Sequence, residues 1–182
     1  MGMKGGEKLK AKLEEIARMA GKADKVNVGF LENSTYPDGT SVPMVAAIQE
    51  YGAPNASIPA RPFFRGMIAA RKGEWGPQLG KIIKAADYDS DVALGRMGEN
   101  IKGQLQESII ATSDPALSPI TVMLRGMRSH DQALVVTGKT VGEAAQRVAN
   151  DEDNYGASTK PLIDSGHLLN SVDYEVKKDG QS

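Results

Sequence analysis

Apolar side chains along this chain recur with two different periods, and the switches between them predict most of its elements. From Glu7 to Ala20, Leu9, Leu13, Ile16 and Ala20 fall at steps of three or four and Gly21 follows, the pattern of an amphipathic helix with a glycine stop. "KVNVGFLE" then alternates Val26, Val28 and Phe30 against Asn27 and Gly29, which predicts a strand with one buried face. "ENSTYPDGTS" is turn chemistry, since Pro37 fixes φ and Asp38-Gly39 tolerates positive φ. Ser41 as cap and Pro43 in the first turn open a short helix, "PMVAAIQEYG", with Met44, Ile48 and Tyr51 on one face and Gly52 as its end.

"APNASIPA" must be irregular, because Pro54 and Pro59 each lack an N–H and bias the preceding residue away from helix. Pro62 opens a new helix through "PFFRGMIAARKGEW", and Gly76-Pro77 predicts a break before "QLGKIIKAA" resumes. The strongest periodic signal is Leu94, Met97, Ile101, Leu105 and Ile109, which predicts one long helix ended by Asp114-Pro115. Ser118 and Pro119 restart helix. From Arg128 to Lys160 the chain is polar and glycine-rich around one more helix, in which Thr140 and Glu143 have capping-box spacing, and residues 128–158 read as an insertion. "KPLIDSGHLLNSVDYEV" joins a turn of helix capped by Asp164 to a second alternating strand, Val172, Tyr174 and Val176, and the tail "KKDGQS" is expected to fray. Two strands among helices in 182 residues make a single α+β domain.

Composition narrows what such a domain could do. A net charge of -1 with 25% charged residues provides no global basic field for nucleic acid, so any such contact must be local. The absence of cysteine excludes disulfides, thiolate metal ligands and a cysteine nucleophile, and it suits synthesis in a reducing compartment. The N-terminal stretch lacks a continuous apolar h-region, and apolar runs such as "MVAAI" fall far short of the roughly 20 residues that span a bilayer, so neither secretion nor membrane insertion is expected. Aromatics are only 5% of the chain, yet two of its three phenylalanines sit together at Phe63 and Phe64 in "IPARPFFR". In an aromatic-poor protein that cluster is a candidate for assembly as well as for core.

The stock of reactive groups is thin. Asp164, Ser165 and His167 lie together in "DSGH" and would supply a hydrolase reading, but neighbours within a helical turn mostly point apart, and helix capping by Asp164 explains them more simply. His130-Asp131 and the acidic run Asn150 to Asp153 have neither zinc nor calcium spacing, and no Walker A or GxGxxG pattern occurs, so no metal or cofactor is expected. Glu50 and Glu99 read as ordinary helix-surface residues. Arg61, Arg65, Arg71 and Lys72, with Arg125 and Arg128, suggest a solvated face or intersubunit ion pairs, with a nucleic-acid-binding module as the alternative.

Three stretches, taken in order, resemble one family. "VGFLENSTYPDGTSVPMVAAIQEYGAPNASIPARPFFR", with a helix ending in Glu50-Tyr51-Gly52 before I-P-A-R-P-F, resembles the signature of neck and tail-completion proteins of long-tailed bacteriophages, the group that includes minor tail protein Z. "PALSPITVMLR" resembles that family's linker, and "KPLIDSGHLLNSVDYEV" its P-L-x-D-T/S-G-x-L-x-x-S element; the stretch from about Arg128 to Ser158 is longer than in compact members. The resemblance implies a small antiparallel sheet packed with a long helix and several short helices, in a non-enzymatic subunit assembled in the host cytoplasm into a virion ring, sixfold, at the head-tail joint. Its implied partners are further copies of itself, a tail terminator or tail tube, head-completion or connector proteins, and genomic DNA touched weakly and without sequence preference in the lumen. Glu50, Tyr51, Arg61, Phe63, Phe64 and Arg65, with Asp164, His167 and Leu168, are the contact residues expected on this basis.

Overall fold

A computed structural model describes residues 6–178. The elements run α1 (Gly6–Ala20), β1 (Lys25–Phe30), α2 (Val42–Tyr51), a 3-10 turn (Pro54–Ala56), α3 (Phe63–Ala85), α4 (Ser90–Ala111), α5 (Pro119–His130), α6 (Gly138–Ala149), α7 (His167–Asn170) and β2 (Val172–Lys177). The fold is α+β, as the residue pattern predicts. Fraying of the tail concerns, from residue 179 on, positions outside the described residues.

β1 and β2 pair antiparallel, Val26 opposite Val176, Val28 opposite Tyr174 and Phe30 opposite Val172. A two-stranded ribbon is marginal alone in water and needs a packed face. Here α4 supplies it, and the close approach is possible because Gly98 presents no side chain beneath Tyr174 and Val26. The helix's predicted apolar stripe points the same way, with Met97, Leu105 and Ile109 buried and Leu94 and Ile101 half-buried. Val42, Ala46, Phe63, Met67, Leu105, Ile109, Leu162, Leu168 and Val172 form the main core, against which the Phe30 ring packs edge-on to Phe63 at 6.3 Å. A second cluster, Met123, Met127 and Ala144, joins α5 to α6, so the polar stretch after Arg128 builds a small core of its own on the preceding helix.

The caps Ser41 and Ser118 stand where the sequence places them, accepting from the N–H groups of Met44 and Thr121. Three local expectations are corrected. α3 runs unbroken through Pro77, because it packs along α4 and Trp75 Nε1 donates to Gln104 Oε1 at 2.8 Å, so tertiary contact outweighs the missing backbone bond. The capping box of α6 is formed by Thr137 and Thr140, since the helix begins at Gly138; Glu143 lies a turn further on and faces Lys139. Asp164 does not cap α7, which starts at His167 with Gly166 at φ 76 as its cap residue.

Among the described residues, α1 is attached through its C-terminal end. Ser90 Oγ accepts from Ala23 N at 2.8 Å and donates to the Met19 carbonyl at 3.2 Å, and Lys22 Nζ donates to Asp89, the N-cap of α4.

Two measurements check this packing. A Cβ at position 98 would lie 2.5 Å from Tyr174 Cδ2 and 2.9 Å from Val26 Cγ2, whereas position 103 is open. Gly98→Ala should therefore cost about 1–3 kcal/mol in urea unfolding, while Gly103→Ala should gain up to about 1 kcal/mol of helix propensity. The bond from Lys22, then the α4 amides, hold the Asp89 carboxyl below the usual aspartate range. A depressed folded value means the stabilisation is present above the unfolded value of about 3.9 and is lost as pH falls through the folded one. The melting gap between the native chain and Asp89→Asn should accordingly be widest near neutrality and narrow in acid.

Candidate functional site

The start of α3 poses a problem of backbone chemistry. A helix N-terminus leaves amide donors without partners, and Pro62, at the cap position, has no side chain that can accept from them. The acceptor comes from α2 instead. Glu50 Oε2 accepts from Phe64 N at 2.8 Å, and Oε1 accepts from Arg65 N at 3.1 Å and Arg65 Nε at 2.7 Å. Arg65 Nη2 also donates to the Glu50 carbonyl at 3.1 Å. Glu50 is thus a buried cap and not the helix-surface residue the sequence suggests, being 5% exposed with its charge placed where the helix dipole favours an anion.

The loop between α2 and α3 is built to deliver this contact. Gly52 turns the chain at φ 77, and a Cβ there would meet Ala60 N at 2.8 Å. Ala53 and Ile58 bridge, Ser57 adopts a left-handed φ of 54, and Arg61 N donates to the Gln49 carbonyl, bringing Pro62 back alongside the end of α2. Between the two helices lies a groove of 190 Å³, walled by Phe30, Pro43, Ala46 and Ala47 and rimmed by Tyr51, Phe64 and Arg65. The Arg65 guanidinium sits 4.7 Å over the Tyr51 ring. Such a groove can seat an apolar side chain and offer a cation to a carbonyl or carboxylate beside it; its one carboxylate is fully engaged as a cap.

Comparison with protein-family models, curated proteins and solved structures finds no match.

The nine residues expected as contacts divide between this groove and a second cluster. Tyr51 and Arg65 are exposed and Phe64 is half-buried, its ring against Gly29. Phe63, at 2% exposure, belongs to the core, as does Leu168. Arg61, at 3%, donates from Nε to the Pro115 carbonyl at 2.9 Å and from Nη1 to Gln49 at 3.1 Å, and its burial, with Arg125 nearby, pushes its pKa down. Glu50, Arg61, Phe63 and Leu168 therefore support the surface from within and do not form part of its exposed rim.

In the second cluster Arg125 Nη1 donates to the carbonyls of Ser158, Lys160 and Ile163 and Nη2 to that of Pro161, with Nε 3.7 Å from the exposed Asp164. His167 Nε2 lies 2.9 Å from the Thr35 carbonyl and its ring tilts onto Tyr36. The Ser165 hydroxyl accepts from the His167 backbone N–H, while the histidine ring is engaged with Thr35 and Tyr36. Of the arginines grouped in the sequence, Arg61 and Arg125 are committed to internal carbonyls, and Arg65 and Arg128 are exposed. Among the described residues no group of three or more His, Asp or Glu side chains could hold a metal ion, and no helix is long and apolar enough to cross a membrane.

Sequence reasoning missed the roles of Glu50 and Arg125. The first had a usable signal, a helix start at a proline with no capping side chain and an acidic residue just across the loop. The second had none, because nothing in a linear pattern tells which arginine meets a run of unpaired carbonyls.

Removal of Glu50 leaves the part-buried amides of Phe64 and Arg65 without their acceptor, so Glu50→Ala should cost about 1–3 kcal/mol in urea unfolding. Arg65→Ala, whose side chain is 54% exposed, should cost about 1 kcal/mol or less.

Proposed function

We propose that the chain is a structural subunit of the neck of a long-tailed bacteriophage, which assembles as a sixfold ring, completes the tail and joins it to the head. The observation that carries this reading is that the three stretches responsible for the resemblance brace one another. Arg61 of the first bonds Pro115 of the second; Arg125 of the second bonds Lys160, Pro161 and Ile163 of the third; and Phe63 and Leu168, from the first and third, share one core. The motif residues are a single mechanical unit, which suits a component that must hold shape under load more than one that must turn over a substrate.

In this reading the α2–α3 groove, with Tyr51, Phe64 and Arg65 at its rim, is where a neighbouring subunit or a tail terminator, tail tube or connector protein is gripped. DNA passing through the ring meets it only by weak, sequence-independent contact. Function follows from position in the virion, with no cofactor and no reaction.

Two alternatives have little local support. A hydrolase built on Ser165 lacks a base, since the His167 ring is held at Thr35. A nucleic-acid module built on Arg61, Arg65, Arg125 and Arg128 has two of its four cations committed to backbone carbonyls of the chain itself.

The test is genetic and visual. Particles produced without this protein should be non-infectious, with unjoined heads and incomplete tails in electron micrographs, and Tyr51→Ala/Arg65→Ala should complement poorly while Arg128→Ala complements fully. Normal infectious particles in its absence would end the proposal.

A further inference from the structure

Two unpartnered features stand at opposite ends of the α3–α4 hairpin. The first is α1. Its apolar stripe is left open in the N-terminal two turns, where Leu9 is 62% and Leu13 57% exposed, while Ile16 and Met19 nearer the attachment are half-buried. At 100° per residue Lys12 and Lys10 flank that stripe on either side, and Glu7, Glu14 and Glu15 lie towards the back. Among the described residues the lysines pair with exposed glutamates on the same helix, contacts of the kind that exchange readily with a better-placed carboxylate.

The second feature is a cavity of 440 Å³ between α5, the end of α6 and the segment that follows. Leu117, Val122, Met123 and Val148 give it an apolar lining, and Asp151 and Glu152 give it an acidic side, Glu152 also lying 3.8 Å from Arg147 in an exposed pair. It is large enough for more than one leucine side chain, and its charge is opposite to that beside Leu9 and Leu13.

The arm cannot reach the cavity of its own chain. α1 is tethered at the Asp89–Ser90 end of α4, whereas the cavity begins just beyond Pro115, which Arg61 holds at the other end of the hairpin. α4, with 22 residues, separates the two by about 33 Å, and Leu9 lies only about 15 Å along the helix from Met19. An arm at one end and a complementary socket at the other describe a head-to-tail contact between copies, which closes into a ring or runs on as a filament.

We propose that the N-terminal half of α1 docks into this cavity on a second copy of the chain, Leu9 and Leu13 entering the apolar lining and Lys10 and Lys12 meeting Asp151 and Glu152. The contact deepens the ring reading and rests on its self-assembly, though not on any role in a virion.

Because the chain has no cysteine, engineered thiols report the contact without background. Leu13→Cys mixed with Glu152→Cys should give disulfide-linked dimers on mild oxidation, and the double variant should give a ladder of higher species. Leu9→Glu/Leu13→Glu, checked for native helicity by circular dichroism, should weaken self-association in light scattering by about tenfold or more. Lys10→Glu/Lys12→Glu should weaken it too, and Asp151→Lys/Glu152→Lys in the same chain should restore it. Dimers from Leu13→Cys alone in preference to the mixture, no cross-linking in the mixture, or a native chain that stays monomeric at all concentrations would each overturn the proposal. So would loss of binding to anionic lipid vesicles in Leu9→Glu/Leu13→Glu with cross-linking at background, which would assign the arm to a lipid surface. A contact that passes these tests in a protein dispensable for phage particles would stand while the neck reading fell.

Discussion

A two-stranded ribbon has one face to bury and almost no means of its own to do so, and the main core of this fold is arranged around the helix that covers it. α4 touches both strands, α3, α1 and α7, and its approach to the ribbon depends on Gly98 having no side chain under Tyr174 and Val26. The geometry leaves little freedom. Once α4 is seated, α3 must lie along it and deliver Phe63 to the core, and the α2–α3 loop must close at the end where α3 begins.

At that end the fold uses charge as an internal fastener. Glu50, Arg61 and Arg125 are ionisable groups of the kind usually read as surface chemistry, yet each bonds backbone atoms of a segment distant in sequence. Segments without regular structure leave carbonyl and amide groups that no helix or strand ladder pairs, and a forked guanidinium or a two-oxygen carboxylate can satisfy several at once. The exposed rim of Tyr51, Phe64 and Arg65 is therefore mounted on a support that side-chain motion alone will not displace.

How much of this was legible follows from what each signal measures. Periodicity located both strands and the helices α1 and α4 because burial of one face is a one-dimensional property, and Ser41 and Ser118 were readable as caps because a cap is a contact three residues away. Pro77 misled because local backbone cost says nothing of the neighbour that compensates it, and the α6 cap slipped by one helical register from Thr137 to Thr140. Within the site, the uneven burial of Phe63 and Phe64 follows from their 100° separation on a helix. The burial of Arg61 and the four carbonyls on Arg125 did not, because they depend on segments brought together only by the completed fold.

The pairing of β1 with β2 also governs when the protein can become itself. Asn27 and Glu175 hydrogen-bond although they stand 148 positions apart, so the ribbon on which α4 rests has one strand near the beginning of the described chain and the other near its end. During synthesis α1, β1 and the α3–α4 hairpin emerge well before their partner strand, and the Val26, Val28 and Phe30 edge waits uncovered until residue 177 has left the ribosome. Closure of so long a loop is slow relative to local helix formation. The nascent chain is thus withheld from its final shape until β2 has been made, so that local helices form before the ribbon on which they pack.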